Sequence, residues 1–281
     1  MRLLRYGKPG LERPAVILRN GVRRDVSAFT NDFDEAFFAN DGLEKLAKWL
    51  KSHANECPEV APSVRLGPCV ARPSKLVCIG LNYRKHAEEC GMDIPTEPII
   101  FLKATSAICG PNDAVELPRG SEKADWEVEL ALVIGRRAKY VSQEDAMDYV
   151  AGYAVHNDYS ERAFQLERGG QWVKGKSADT FAPLGPYLVT KEDIPDPHDL
   201  RLWLRLNGSL VQEGNTKDFI FDIPHLVSYL SQYMTLLPGD VISTGTPAGV
   251  GSSFDPPRYL KTNDVIECGI EGLGNAMQLV V

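Results

Sequence analysis

A chain of 281 residues that is 43% apolar can bury a sizeable core, while a formal net charge of −7 argues against nucleic acid or an anionic membrane as a partner. No apolar run approaches the ~20 residues of a membrane span, and Met1 to Gly7 lacks the apolar stretch of a signal peptide, so a cytoplasmic protein is expected. Cys57, Cys69, Cys78, Cys90, Cys109 and Cys268 include no Cys-x-x-Cys pair, which leaves most of them as ordinary buried thiols rather than a zinc or disulfide framework.

The first ~70 residues read as a small separate unit. Ala15–Arg19 and Val22–Val26 flank Asn20-Gly21, a two-residue hairpin signal, and Leu43, Leu46, Ala47 and Leu50 then recur at helical spacing. Prolines at 58, 62, 68 and 73 punctuate a linker, placing a boundary near residue 70, with a catalytic unit over 71–281. From Leu76 a short buried strand runs into a helix that Asn82 can cap and Gly91 can end. On it His86 and Glu89 lie one turn apart, the pairing a general base needs, although an exposed helical contact would look the same. Met92 to Pro98 has the composition of a mobile flap. In the strand Ile99–Lys103, Lys103 is either an anchor for a carboxylate substrate or a snorkelling surface lysine.

Strict alternation from Asp125 to Ile134 marks a strand. Trp126, Val128, Leu130, Leu132 and Ile134 share one face; Glu127 and Glu129 share the other, roughly 7 Å apart. Neighbouring carboxylates repel, so a cation between them is expected. A second run, Tyr153 to Asp158, ends in another acid, and three carboxylates suit a hard divalent ion such as Mg²⁺. The alternative is a solvated strand face.

Ser142 and Asp145 suggest a capped helix through Tyr149. After Asp158 come one or two helical turns, with Arg162 and Gln165 on one face, able to orient a ligand or to pair with nearby acids. Trp172 to Pro186 reads as a long irregular loop. Asn207-Gly208 predicts another hairpin, Asp222 caps a helix, and short strands follow at Asp240–Ser243, Val265–Cys268 and Met277–Val281. The stretch Thr244–Gly251 lacks any nucleotide-loop spacing. Its hydroxyl and backbone N–H groups, with Thr246 at the centre, suggest a cradle for a small carboxylate.

Asn82-Tyr83 with His86-x-x-Glu89, Phe101-x-Lys103, Glu127-x-Glu129, Asp158, Lys176-Ser177-x-Asp179 and Thr244-Gly245-Thr246-Pro247 together closely resemble the fumarylacetoacetate hydrolase family, over about residues 70–281. The resemblance implies a β-rich α+β fold, a mixed β-sandwich roll with a small N-terminal α+β domain, usually in homodimers. It implies Mg²⁺ (or Mn²⁺ or Ca²⁺) held at Glu127, Glu129 and Asp158, a His86–Glu89 catalytic dyad on a lid, an active-site Lys176, and Tyr83 beside the substrate. A fourth metal acid that some members carry has no clear counterpart here. The reaction so implied is hydrolysis of the C3–C4 bond of an acylpyruvate or 2,4-diketo-3-deoxy sugar acid to pyruvate and a carboxylic acid, as in sugar-acid catabolism. Alternatives are an oxaloacetate decarboxylase, lyase or isomerase of a related 2-oxo acid, ureidoglycolate-lyase-type activities included, or a non-catalytic binder of small oxo acids.

Overall fold

Alternation along 126–134 divides two cores from each other rather than core from water. The structure, a computed structural model, describes residues 1–281 and sets Val128–Ile134 inside a ten-stranded mixed sheet. Across that sheet the order is Arg23–Asp25, Arg13–Ile17, Arg2–Tyr6, Leu188–Thr190, Val150–Asn157, Val128–Ile134, Val241–Ser243, Leu76–Gly80 and Ile99–Lys103, with Leu66–Gly67 paired beside Arg2–Tyr6. Val128, Leu130, Leu132 and Ile134 pack against Leu202, Leu204 and Ile266 of a second, four-stranded sheet and against Leu226 and Leu230 of the helix Ile223–Tyr233. Ala131 and Val133 face the other way, into a core shared with Leu3, Val16, Phe33 and Leu46. Each large apolar side chain buried in this way contributes about 1.5–3 kcal/mol. A strand with apolar partners on both sides cannot present its glutamates to bulk water. The result is the expected β-rich α+β architecture.

Residues 1–67 contribute four strands to the large sheet, joined through Arg2 opposite Val189 and Leu3 opposite Leu188. Asn207-Gly208 forms the expected two-residue hairpin between Arg201–Leu206 and Ser209–Asn215, whereas Arg13–Ile17 pairs with Arg23–Asp25 through a loop longer than the two residues Asn20-Gly21. Three further local expectations are corrected. The segment ending at Tyr149 is a single 3₁₀ turn, Ala146–Tyr149, too short to be an α-helix. The stretch Trp172–Pro186 contains the helix Val173–Lys176, whose Gly175 lies where a Cβ would meet the Glu161 carbonyl at 2.4 Å. Asn82 does not cap the helix Arg84–Glu89. Tyr83 occupies the cap position, because the Asn82 amide donates to the carbonyls of Thr244 (2.8 Å) and Phe221 (3.0 Å) and accepts from Phe221 N–H.

Candidate active site

Strand register assembles the acids. Antiparallel pairing sets His156 opposite Glu129 and Asn157 opposite Val128, and Asp158 N–H, one residue on, donates to the Glu127 carbonyl at 2.8 Å. Side chains opposed in this way share a face about 5 Å apart. Oxygens of Glu127, Glu129 and Asp158 accordingly lie within 4.8 Å of one another, on residues 5%, 1% and 0% exposed. That burial removes the solvated-face alternative.

Buried cations surround the cluster unevenly. Lys176 Nζ donates to Glu127 Oε2 at 2.7 Å and to Asp158 Oδ2 at 2.8 Å. Lys103 approaches Asp158 from behind, bonded to Oδ1 and to the Tyr159 carbonyl. Arg162 pairs with Glu127 Oε1 at 2.7 Å and Asp125 Oδ2 at 2.8 Å, and donates to Gln165 at 3.1 Å. Glu129 alone among the three has no cation. It accepts from Ser243 Oγ (2.5 Å) and Gly245 N–H (2.9 Å), both on Oε2. Four acids (Asp125, Glu127, Glu129, Asp158) thus face three cations (Lys103, Lys176, Arg162), one charge short of neutrality.

The shortfall shows in proton affinities. Burial, then the neighbouring Asp158 and Glu127 carboxylates, push Glu129 up to about 8. Asp158 goes the other way: burial opposes its charge, but Lys103 and Lys176 hold it below the usual carboxylate range. Lys176 keeps its proton more firmly than a free lysine, because Asp158 and Glu127 outweigh its burial. An all-oxygen donor set with one uncompensated carboxylate fits a hard divalent cation.

A second group faces the acids. On the helix Arg84–Glu89, His86 Nδ1 lies 2.7 Å from Glu89 Oε1, and Glu89 Oε2 accepts from Gly249 N–H at 2.9 Å. A carboxylate only accepts, so Nδ1 carries the proton and Nε2 is the basic nitrogen. Burial lowers the proton affinity of His86, yet hydrogen bonds to Cys90 and Glu89 and the charge of Glu127 raise it to about 9.

The glycine-bearing stretch 244–251 cradles carboxylates, as its composition suggested, but they are the protein's own. Gly245 N–H goes to Glu129, Gly249 N–H to Glu89, and the N–H groups of Gly251 and Ser252 to Asp125. One loop therefore fixes the acid cluster, the dyad and the Arg162 partner together. Gly249 sits at φ +104°, and a Cβ there would come within 2.0 Å of the Val211 carbonyl. We expect Gly249→Ala to cost about 2 kcal/mol or more and to lower Tm by roughly 5 °C, read by thermal unfolding. A change below one degree would show that the loop tolerates a side chain.

The dyad, Glu127 and Glu129 open on one cavity of about 500 Å³, lined also by Phe101, Trp172, Arg162, Gln165, Lys176 and Thr246, with Asp158 set behind that lining. Two expected substrate contacts do not reach it. Lys103 is spent behind Asp158, and Tyr83 is buried against Phe219, its hydroxyl without a partner. The Thr246 hydroxyl is at the cavity but engaged, donating to the Val128 carbonyl and accepting from Gln212. Sequence reasoning passed over Asp125, Ser243 and Gln212. Only Asp125 carried a signal, being one more acid at the head of the glutamate strand.

The family described as fumarylacetoacetate (FAA) hydrolase C-terminal matches residues 75–281. A Burkholderia multivorans protein named no more closely than a hydrolase is 51% identical over 280 residues, spanning 99% of this chain and 98% of its own. Among solved structures, fumarylacetoacetate hydrolase from Exiguobacterium antarcticum superposes with a TM-score of 0.88 at 35% identity, covering 100% of this chain and 99% of that one. Maleylpyruvate hydrolase from a Sphingobium species, in complex with manganese(II) and pyruvate, gives 0.83 at 30% identity with 100% and 99% covered. The 2-hydroxyhepta-2,4-diene-1,7-dioate isomerase of Mycobacterium marinum gives 0.76 at 34%, with 100% and 98% covered.

Proposed function

The chain belongs to the fumarylacetoacetate hydrolase family, and on that premise we propose that it hydrolyses the C3–C4 bond of a 2,4-dioxo acid, releasing pyruvate and a carboxylic acid. One observation carries the reading: a histidine–carboxylate pair opens on the same cavity as Glu127 and Glu129, two members of an acid cluster one charge short of neutrality. A pure binder of oxo acids has no use for the base.

Glu127, Glu129 and Asp158 would hold the divalent ion, Mg²⁺ or alternatively Mn²⁺ or Ca²⁺. When bound, that ion supplies Lewis-acid stabilisation of negative charge on a 2-oxo group. The residues do the rest. Nε2 of His86, its ring held by Glu89, takes a proton from water as the oxygen adds to C4. The C3–C4 bond then breaks, its electron pair forming the enolate of pyruvate, and the proton on His86 goes to C3. Lys176, buried and cationic, stabilises the enolate charge. Arg162, locked by Asp125, Glu127 and Gln165, orients Glu127 and keeps its charge compensated.

The raised proton affinity of His86 sets a condition. Raised to about 9, His86 is imidazolium at neutral pH and cannot act as a base. Glu127 is one cause, and a divalent ion on Glu127 opposes that contribution. In saturating Mg²⁺ the pH profile of kcat/KM should therefore climb along an acid limb with its midpoint between about 6 and 9. A profile flat from about pH 6 to 9 would remove His86 from the role.

The deciding assay is pyruvate release from a panel of 2-oxo and 2,4-dioxo acids with Mg²⁺. Isomerisation is the second reading, favoured by the 34% identity to the Mycobacterium marinum isomerase. Conversion of a dienoate with no pyruvate from any 2,4-dioxo acid would establish it in place of hydrolysis. The same proposal carries a homodimer and a cytoplasmic location; no helix is long and apolar enough to cross a membrane. It also divides labour between residues 1–70, which supply none of the proposed site, and 71–281, which supply all of it.

A further inference from the structure

Beside the dyad stands a third donor that the reaction does not use. Cys90 follows Glu89 directly, four residues on from His86, and its thiol is exposed, whereas Cys57, Cys69, Cys78 and Cys268 are buried. Its Sγ is 3.9 Å from His86 Nδ1, which is itself 2.7 Å from Glu89 Oε1, and all three donor atoms lie within 4.8 Å of one another. A tetrahedral zinc ion, with Zn–S near 2.3 Å and Zn–N and Zn–O near 2.0–2.2 Å, spaces such donors roughly 3.3–3.6 Å apart. The His–Glu pair must open by about 0.6 Å, and the thiol must close by about 0.3 Å on His86 Nδ1 and by up to about 1.2 Å on the Glu89 oxygen, changes that side-chain torsions on one helical turn supply. Thiolate, imidazole and carboxylate form a donor set that suits zinc-like ions, whereas the all-oxygen cluster of Glu127, Glu129 and Asp158 suits hard ones.

We propose that His86, Glu89 and Cys90 form a second cation site, selective for thiophilic divalent ions of the zinc type, that switches the enzyme off. On binding, the Cys90 thiol releases its proton to solvent as the metal–sulfur bond forms. His86 Nδ1 also gives up its proton, to solvent from the imidazolium or by transfer to Nε2 from the neutral ring, freeing Nδ1 to ligate, and Glu89 exchanges its hydrogen bond for the metal. Nε2 is then protonated and cannot accept a proton from water. A fourth position stays open towards the cavity, as in zinc sites with three protein ligands. Binding stands on the geometry alone; inhibition rests on His86 being the base.

The test uses the whole protein in saturating Mg²⁺ with Co²⁺ as the probe, because thiolate ligation of cobalt produces a near-ultraviolet charge-transfer absorption that oxygen ligands do not. Wild type should develop this absorption at one cobalt per chain. Cys90→Ser should not, and Glu129→Gln should. Zn²⁺ should inhibit wild type at concentrations at least about 10-fold below those needed for Cys90→Ser, each measured against that protein's own zinc-free turnover. No absorption in wild type, or absorption that survives Cys90→Ser, overturns the site. Absorption lost in Cys90→Ser with no zinc inhibition in wild type keeps the site and overturns its effect, and with it the reading of His86 as base.

Discussion

Chelation with EDTA should bring pyruvate release to background, and Mg²⁺ or Mn²⁺ should restore it. Lewis-acid stabilisation of the enolate supplies several kcal/mol, so loss of the ion is worth about 10³-fold or more. The variant that isolates the ion is Glu129→Gln rather than Glu127→Gln. Glu127 compensates Arg162 and Lys176, and removing its charge leaves two buried cations short of a partner, which is strongly destabilising in its own right. Glu129 compensates none, and a glutamine there still accepts from Ser243 and Gly245. Glu129→Gln should therefore fold normally, lose metal-dependent activity by the same ~10³-fold, and show no rise in Tm with Mg²⁺ where wild type does. Full turnover in chelated wild type would sink the metal reading.

The same residue links stability to pH. Folding raises Glu129 from an ordinary carboxylate value of 4.5 to about 8. An acid raised by folding is favoured in its protonated form, so the metal-free protein loses stability as pH climbs from 4.5 through about 8. Glutamine does not titrate, and metal-free Glu129→Gln should melt above wild type on the alkaline side of that window. Cation binding expels the proton, so affinity should rise with pH towards 8 and level beyond it.

Local patterns and long-range contacts contributed differently to what could be read from the residues. Helical spacing alone put His86 and Glu89 on one turn, and alternation put Glu127 and Glu129 on one face; both are facts of a few consecutive dihedrals. That the second face is a core rather than water depended on strands from residues 1–26 joining the sheet, which no local pattern encodes. The partners of Glu129 lie further off still. Ser243 and Gly245 are 114 and 116 residues away, and the strand Val241–Ser243 reaches them only by inserting between Val128–Ile134 and Leu76–Gly80. Lys103 was ambiguous for the same reason. Its neighbour Asp158 is 55 residues on, and only the assembled sheet turns a surface-like lysine into a fully buried one.

His86→Ala should lower cleavage of a 2,4-dioxo acid by roughly 10²–10⁴-fold at saturating substrate, the range general acid–base catalysis supplies. Glu89→Gln should follow in direction and fall short in size. The amide loses the charge that steadies the imidazolium, and its NH₂ group competes for the place that Nδ1–H now donates to. Oxaloacetate separates the chemistries, because decarboxylation draws on the same enolate stabilisation but needs no activated water. Any side activity on it should survive His86→Ala far better than hydrolysis does. Lys176→Met should depress both, since it removes the fixed cation beside the growing charge and also leaves Glu127 and Asp158 with one partner fewer. A circular dichroism melt should accompany it to separate misfolding from lost catalysis. If wild type instead consumed oxaloacetate far faster than every 2,4-dioxo acid, and did so only with His86 intact, the histidine would be serving proton transfer in a decarboxylase or isomerase, and hydrolysis would be the wrong assignment.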